Sequence, residues 1–316
     1  MPDKKIIAVF GATGAQGGGL AHAILNDPDS EFAVRAITRN ANSDKARELA
    51  QKGAEIVTAD IDDADALKEA LDGAYGAYFV TFFWDHMSPE REVAEAKAMA
   101  HAAKEAGLKH VIWSTLEDTR LYIPLTDDRM PTLMEKYKVP HFDAKGEADK
   151  FFTEAGVPTT FLLTSFYYDN FIYFGMGPKK GEDGKLTITL PMGDEKLAVI
   201  AAEDIGKCAY GIFKRGKELI GKTVGIAGDH LSGNEMAEEL GGALGQEIGY
   251  NKIPPAVFRT FGFPGADDLG NMFQFNHDFA DDFNGKRNIE FSKALNPELN
   301  TFKIWLEKHG NQIPVG

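Results

Sequence analysis

The stretch KIIAVFGATGAQGGG, residues 5–19, decides the fold. Its apolar first half predicts a buried strand, and the glycines that follow it open a helix. Gly11 permits a tight turn, Gly14 lets the backbone approach a pyrophosphate closely, and Gly17 lets the helix pack on the strand. The free N–H groups at the helix N-terminus then face the phosphates. The stretch therefore predicts a β–α unit that binds a dinucleotide.

Apolar runs alternate with helical patterns over the first half of the chain. The predicted strands span residues 5–11, 32–39, 54–60, 74–83, 109–115 and 159–164. Such alternation favours a parallel sheet that is covered by helices on both faces. We therefore expect an α/β fold with a doubly wound parallel (Rossmann) sheet of about six strands.

The second half of the chain has a looser pattern that is rich in aromatic residues and glycine. We expect residues 1–165 to form a dinucleotide-binding Rossmann domain. Residues 166–316 are expected to form a smaller α/β lobe that closes the cofactor cleft, with some segments returning to the main sheet.

Composition bounds the class of function. The chain has 316 residues, 43% of them hydrophobic, and a formal net charge of −14. That charge disfavours direct nucleic-acid binding, which needs a basic face. Cys208 is the single cysteine, so a reducing, cytoplasmic location is expected, with the nucleus left open as a second location. The longest apolar runs, such as residues 77–84, are too short to span a membrane.

The end of the second predicted strand selects the cofactor. NAD sites usually carry Asp or Glu about 20 residues after the glycines, but this chain has ITRN at residues 37–40. Arg39 can instead pair with the 2′-phosphate of NADP, and Thr38 and Asn40 offer further hydrogen bonds. One charge-assisted bond contributes about 1.5–3 kcal/mol, a roughly 10- to 150-fold preference for NADP. The expected cofactor is NADP(H); an ordinary surface arginine is the alternative.

Two further strand ends face the expected path of the cofactor. Asp60, at the end of the third predicted strand, is placed to bond the adenine or, alternatively, to cap the following helix. Thr81 and Phe82 close the fourth predicted strand. They would lie over the pyrophosphate and nicotinamide ribose, or simply pack at the strand end.

Several motifs along the chain together resemble a known family. They are KKIIAVFGATGAQGGGLAHAIL, VRAITRN, GAEIVTADIDD, FVTFFW, HVIWSTLE, HFDAKGEADKFF and FGFPGADDLGNMFQF. The chain resembles the NmrA-like family over nearly its whole length, within the atypical short-chain dehydrogenase/reductases, and is most similar to its redox-sensor (HSCARG-type) branch. The resemblance implies an NADP(H)-binding protein that senses the cofactor ratio or regulates other proteins.

The resemblance also implies a set of cofactor contacts, from the pyrophosphate through the 2′-phosphate and adenine to the nicotinamide. The implied contact residues are Gly11, Thr13, Gly14, Ala15, Gln16, Gly17, Thr38, Arg39, Asn40, Asp60, Ile61, Thr81, Phe82, Phe83, Lys145, Ser165, Phe166, Tyr167 and Tyr168. Close relatives carry a lysine where this chain has Ala94, and Lys97 stands one turn further on.

The catalytic residues of the wider superfamily are only partly present. Reductases of that superfamily use a Ser, a Tyr that passes the proton, and a Lys four residues later that lowers the pKa of the Tyr. This chain has Ser114 and Lys145, but His141 stands in the Tyr position. His141 and Lys145 share a helix face. His141 is a structural residue or a replacement acid, or else the proton comes from Lys145, Tyr167 or water.

Two functions are therefore expected, and enzymatic activity stays open between them. The first is a regulatory, NADP(H)-binding redox sensor that lacks the usual Tyr. The alternative is an NADPH-dependent reductase of a quinone, an imine or another conjugated small molecule. A protein partner, a small-molecule substrate and a homodimer are open, whereas a nucleic-acid or membrane partner is not expected. No His or Cys spacing predicts a metal site.

One group of side chains could serve either packing or function. An aromatic cluster could wall an apolar substrate pocket or could belong to the core. Its members are Phe82, Phe83, Trp84, Phe166, Tyr167 and Tyr168.

Overall fold

Strands and helices alternate through the chain, and the computed structural model describes residues 4–181 and 183–316. The strands are β1 (Lys5–Phe10), β2 (Phe32–Thr38), β3 (Glu55–Thr58), β4 (Gly76–Phe79), β5 (His110–Thr115), β6 (Thr159–Leu163), β7 (Phe166–Tyr167), β8 (Lys179–Lys180), β9 (Leu186–Leu190), β10 (Leu197–Ile200), β11 (Thr223–Gly225), β12 (Asp229–Leu231) and β13 (Ile248–Lys252).

The helices differ widely in length. They are α1 (Ala15–Asn26), α2 (Asp44–Gln51), α3 (Ala64–Leu71), α4 (Phe83–His86), α5 (Pro89–Glu105), α6 (Pro140–Glu154), α7 (Asn170–Tyr173), α8 (Ala202–Arg215), α9 (Gly233–Leu244), α10 (Pro255–Phe258), α11 (Ala266–Asp278), α12 (Ala280–Lys286), α13 (Ile289–Leu295) and α14 (Phe302–His309). Within the described ranges, no helix is both long enough and apolar enough to cross a membrane.

The main sheet confirms the predicted fold class. Seven strands lie side by side in the order β11-β6-β5-β4-β1-β2-β3, and every neighbouring pair is parallel. The order runs outward from β1 in one direction through β2 and β3 and in the other through β4, β5 and β6. Ligands of such sheets bind outside the carboxyl ends of the strands, where this order reverses. Here that point lies between β1 and β4.

Helices cover both faces of the main sheet, because its inner strands are apolar on both sides. Every residue of β4 and β5 is buried. One core unites this sheet with α1, α2, α8 and α13, and a second core unites its other face with α3, α5 and α6. Because α8 and β11 take part in these layers, segments from beyond residue 165 complete the Rossmann unit.

The remaining segments form the smaller lobe. It contains two three-stranded sheets, β12-β10-β7 and β13-β9-β8, packed around a third core with α7, α9, α11 and α14. Arg287 ties this lobe to the main sheet, since its guanidinium donates to Glu117 at 2.7 and 3.0 Å and to the Thr164 carbonyl at 2.7 Å. The lobe therefore sits at the carboxyl edge of the sheet.

Serine side chains cap the N-termini of three helices. Ser43, Ser88 and Ser232 cap α2, α5 and α9, each accepting a hydrogen bond from a backbone N–H in the first turn. The fourth strand is shorter than predicted. It ends at Phe79 rather than residue 83, because the next residues turn away and Phe83 already begins α4.

Glycines let α1 and α8 touch along their backbones. A Cβ on Gly19 or on Gly206 would overlap backbone atoms of the opposite helix. Only glycine therefore permits this contact, which fixes α8, and the chain that follows it, against the glycine loop.

We expect Gly206→Ala to destabilise the protein by about 1–3 kcal/mol, because the added methyl meets the rigid backbone at Leu20. Gly242→Ala is the matched control, since that helical position in α9 has no atom within 4 Å of the added methyl. The control should gain about 0.5–1 kcal/mol from helix propensity. Urea denaturation of both variants measures the difference; equal stabilities would contradict the close helix contact.

Candidate functional site

The glycine loop has the geometry that phosphate binding requires. Gly11 has a φ of +65°, and its carbonyl accepts a hydrogen bond from the Gly14 N–H at 2.8 Å. A Cβ on Gly17 would stand 2.5 Å from the Gly11 carbonyl oxygen. No side chain caps the first turn of α1, which also contains no acidic residue. The N–H groups of Ala15, Gln16 and Gly17 are therefore available to an anion, whereas that of Gly18 already donates to the Gly14 carbonyl.

Gln16 joins the loop to three hydroxyl groups. Its amide donates to the Tyr167 hydroxyl at 2.5 Å and accepts from Ser114 Oγ at 2.8 Å and from the Tyr78 hydroxyl. Burial raises the pKa of both Tyr78 and Tyr167. Ser114, the predicted strand-end serine, is 2% exposed and bonded to the loop.

The predicted 2′-phosphate residues follow β2 directly. Arg39 is well exposed and pairs with Asp85 of α4 at 2.9 Å. Thr38 and Asn40 instead stabilise the local turn, because each side-chain oxygen accepts a backbone N–H from two residues further on. Lys45, in the first turn of α2, donates to the Thr13 carbonyl at 3.3 Å and so adds a second cation beside the glycine loop.

Asp60 and Ile61 lie in the turn after β3 rather than at its end, which is Thr58. Asp60 accepts the Asp62 N–H at 3.1 Å, whereas Asp63 caps α3. Asp60 is therefore not the helix cap, and its other carboxylate oxygen makes no hydrogen bond to the described residues.

Lys145 is held in a buried ion pair. Its Nζ lies 2.6 Å from Glu92 Oε1 and donates to Thr81 Oγ1 at 2.7 Å. Burial alone would raise the pKa of Glu92, but Lys145, His86 and Thr81 together lower it to about 2. The carboxylate is therefore charged, and it fixes the Lys145 ammonium just beyond the carboxyl end of β4.

His86 approaches two carboxylates at a spacing close to that of metal ligands. Its Nε2 is 3.3 Å from Glu92 and 3.8 Å from Glu95. Its Nδ1, however, accepts the Ser88 N–H at 3.0 Å, which puts the proton of the neutral ring on Nε2. A metal-bound His normally donates from its other nitrogen. The cluster is therefore better described as a close contact of side chains than as a cation site, and His86 Nε2 and Glu92 Oε2 make no hydrogen bond to the described residues.

His141 forms a second buried pair with the smaller lobe. Its Nδ1 lies 2.6 Å from Asp268 Oδ1, and its backbone N–H donates to Asp268 Oδ2 at 3.2 Å. The ring packs against Phe83, Trp84 and Phe142 with centroid separations of 5.8, 4.9 and 4.8 Å. A carboxylate only accepts hydrogen bonds, so Nδ1 carries a proton.

A small cavity borders Asp268, the carboxylate partner of His141. It measures about 70 Å³. Its lining residues are Phe83, Trp84, Met87, Leu133, Met134, Pro140, Gly265, Asp267 and Asp268. The predicted aromatic cluster is therefore divided: Phe83 and Trp84 line the cavity, whereas Phe82 is 56% exposed.

The side chains of residues 165–168 mostly contact the second half of the chain. The Ser165 hydroxyl donates to the Ile226 carbonyl at 2.5 Å, and the Tyr168 hydroxyl donates to Asp229 at 3.2 Å. Phe166 packs in the core of the smaller lobe. Of the four side chains, only that of Tyr167 bonds to the glycine loop, through Gln16.

The Lys97 side chain, one turn after Ala94, packs on an aromatic ring of α6. Its Nζ lies 5.7 Å from the centre of the Phe151 ring, on the outer surface of α5 and α6. Ala94 itself is exposed.

Sequence reasoning missed three charged residues of this site, Lys45, Glu92 and Asp268. Glu92 had a signal, because it is a carboxylate on the buried face of an amphipathic helix. Asp268 lies within the motif FPGADDLGNMF, but no local feature indicates its partner.

Asp149 lies one turn after Lys145 on α6. Its Oδ1 accepts hydrogen bonds from Trp113 Nε1 at 2.9 Å and from Thr115 Oγ1 at 2.7 Å. Burial raises the pKa of Asp149 to about 7, because these bonds and Lys145 offset only part of the desolvation.

The doubly wound sheet, the glycine loop and the lysine-bearing helix α6 define the class of atypical short-chain dehydrogenase/reductases. The family model described as NmrA-like family matches residues 3–306, and the chain belongs to this family.

Similar proteins include both oxidoreductases and a regulator. The NmrA-like family domain-containing oxidoreductase lnaB of Aspergillus flavus is 28% identical, covering 93% of this chain and 90% of its own. The structure of NmrA, a negative transcriptional regulator, in complex with NADP has a TM-score of 0.78 at 22% identity, covering 97% and 95%. Triphenylmethane reductase of Citrobacter sp., complexed with NADP(H), has a TM-score of 0.74 at 18% identity, covering 97% and 99%.

We expect Asp149→Asn to make stability less dependent on pH. The folded pKa of about 7 exceeds the ordinary value of 3.8, so the native state holds an extra proton between these values. The wild type therefore loses stability as the pH rises through this window, by roughly 2–3 kcal/mol between about pH 5 and 8, relative to the variant. Urea denaturation at both pH values measures this change. Asp281→Asn, an exposed carboxylate, is the control; parallel pH profiles for wild type and Asp149→Asn would contradict the raised pKa.

Proposed function

We propose that this protein binds NADP(H) across the carboxyl ends of β1, β2 and β4 and acts as a regulatory redox sensor. The pyrophosphate would meet the uncapped N-terminus of α1. Arg39 and Lys45 stand where the 2′-phosphate is expected, and Lys145 stands where the nicotinamide ribose is expected. The NADP and NADP(H) complexes of the similar structures support this choice of cofactor.

The sensor proposal rests on one observation: a single segment of the chain provides the partners of both Arg39 and Lys145. Residues 81–92 provide the partner of Arg39, which is Asp85, and the partners of Lys145, which are Thr81 and Glu92. Phosphate and ribose oxygens would compete with these partners for both cations. Nucleotide binding would therefore change the conformational preference of residues 81–92. A partner protein that prefers one conformation would then respond to the nucleotide.

We expect NADP to bind more tightly than NAD by roughly 10- to 150-fold, because only NADP offers a 2′-phosphate to Arg39. Isothermal titration calorimetry with both nucleotides measures this ratio. Arg39→Ala should reduce the preference, whereas Arg129→Ala should not, since Arg129 is an exposed arginine whose partner, Asp127, lies outside the cleft. Equal affinities of the wild type for NADP and NAD would refute the assignment of Arg39.

We expect hydrogen exchange at residues 81–92 to change when NADP binds, because their side chains lose two cationic partners. Asp85→Asn should diminish that change near α4. The same substitution should tighten NADP binding by no more than about fivefold, since an exposed ion pair is weak. Asp127→Asn, which breaks the exposed pair with Arg129, is the matched control. Unchanged exchange on saturation with NADP would count against the sensor mechanism.

A second candidate function is an NADPH-dependent reductase. The buried pair of His141 and Asp268 supports it, because that pair lies one helical turn from Lys145 and borders an apolar cavity. The oxidoreductase names of several relatives are consistent with such an activity. Oxidation of NADPH, followed at 340 nm with a panel of quinones, imines and enones, tests it; Lys145→Ala should abolish any turnover.

A further inference from the structure

We infer that His141, oriented by Asp268, is a proton donor for the reduction of a flat conjugated carbonyl compound that packs beside Trp84. This inference rests on the reductase function proposed above. It assigns the proton donor to a pair of side chains contributed by both parts of the fold. It also assigns the substrate to the cavity between α4, the loop before α6 and the start of α11.

Asp268 holds the imidazole through both of its carboxylate oxygens. Oδ2 accepts the backbone N–H of His141, and Oδ1 accepts the ring Nδ1–H. The carboxylate therefore fixes both the position of the residue and the tautomer of its ring. A carboxylate in this position also stabilises an imidazolium, the form that can donate a proton from Nε2.

Nε2 is the free end of the ring. It has no hydrogen-bond partner among residues 4–181 and 183–316 and is not one of the fully buried, unpartnered atoms. Phe83, Trp84 and Phe142 pack around the ring. The small exposed fraction of the His141 side chain, 8%, therefore leaves Nε2 as the accessible polar atom.

The ring stands beside the position expected for the nicotinamide. His141 and Lys145 share one face of α6, since they are four residues apart. The chain that follows β4 contacts both, with Thr81 bonded to Lys145 and Phe83 packed against His141. Lys145 is the residue expected to hold the nicotinamide ribose. The inference therefore places Nε2 on the side of the cleft where the nicotinamide would bind.

The cavity favours a flat, apolar and conjugated ligand. Phe83 and Trp84 offer ring surfaces, and Met87 and Met134 offer soft, flexible side chains. Met87 and Met134 both have a positive φ, 51° and 48°, a strained conformation that often occurs at functional sites. The Trp84 ring packs directly against Gly265. A Cβ at that position would lie 2.8 Å from Trp84 Cζ3.

The cavity must widen to accept a ring. Its 70 Å³ is about half of the roughly 150 Å³ that holds a benzene molecule in another protein. The Met134 side chain, in a residue that is 53% exposed, can move aside to provide the missing volume. The ring then lies against Trp84, which contacts the imidazole of His141 directly.

The reduction step balances with one proton from this pair. Bound NADPH would supply a hydride, with its electron pair, to one carbonyl oxygen of the quinone and would leave as NADP⁺. The ring becomes aromatic, and the other oxygen, now negatively charged, takes the Nε2 proton of His141, so that the product is the hydroquinone. The neutral imidazole keeps its Nδ1–H bond to Asp268 and regains a proton on Nε2 from solvent.

The first experiment follows NADPH oxidation with 1,4-benzoquinone and 1,4-naphthoquinone in the full-length protein. His141→Phe and His141→Gln should lower kcat by about 10²–10⁴-fold while NADPH affinity is retained. His101→Phe, which alters an exposed histidine of α5, is the matched control and should keep wild-type turnover. Turnover that survives in His141→Gln would overturn the assignment of the donor.

Asp268→Asn tests the positioning role by a spectroscopic readout as well as by rate. The Asn carbonyl must accept the backbone N–H of His141, so its amide donates to Nδ1 and moves the ring proton to Nε2. The ¹⁵N shifts of the His141 ring should therefore show the opposite tautomer, and kcat should fall by at least about 10-fold. An unchanged tautomer would overturn the orienting role. Asp281→Asn is the exposed control.

Met134→Ala tests the place of the substrate. The enlarged cavity should lower KM for 1,4-naphthoquinone more than for the smaller 1,4-benzoquinone, whereas Leu121→Ala, at an 83% exposed site, should change neither. Equal KM ratios in Met134→Ala and wild type would overturn this location. Tight NADPH binding without turnover of either quinone would overturn the inference and leave the sensor proposal intact. Failure to bind NADPH would instead refute the proposed function itself.

Discussion

The ion pair between Arg287 and Glu117 is the constraint on which the shape of the cleft depends. Both side chains are buried, and the guanidinium reaches the chain after β5 and the end of β6 at once. Losing one partner would leave an uncompensated buried charge, which typically costs about 3–5 kcal/mol. The pair therefore holds the smaller lobe at the carboxyl edge of the sheet. Only in this position can α11 bring Asp268 to His141, and β7 bring Tyr167 to Gln16.

Within the cleft, charges that face the expected cofactor already have partners in the protein. Lys145 pairs with Glu92, Arg39 pairs with Asp85, and the His141 ring contacts Asp268. These pairs differ in the free energy that is needed to separate them. The pair of Arg39 and Asp85 is exposed, so water replaces either partner at little cost. Glu92 has no exposed surface, so a movement of Lys145 must leave that carboxylate bonded to Thr81 and close to His86. A ligand that enters the cleft can therefore separate Arg39 easily from its partner, whereas Lys145 is held firmly by Glu92.

Local sequence signals predicted the fold well and the site only in part. The glycine loop, the apolar strands and the serine caps are each decided by neighbouring residues, and the structure has them where the sequence indicates. The predicted end of β4 was wrong. Residues 80–84 are apolar enough to continue a strand, but the hydrogen bonds of Thr81 to Lys145 and Glu92 turn the chain away. Asp268 could not be assigned, since 127 residues separate it from His141 and only the packing of the smaller lobe unites them.

The same short segment governs both proposed functions. Residues 81–84 contact Lys145 through Thr81 and the His141 ring through Phe83 and Trp84, while Asp85 holds Arg39. A nucleotide that displaces Asp85 and Thr81 therefore also acts on the aromatic wall of the cavity. Sensing and reduction would then share one conformational change, because the residues that report cofactor binding are those that shape the substrate cavity. A protein partner that recognises this segment would compete with a small molecule for it, and each would favour its own conformation of the segment.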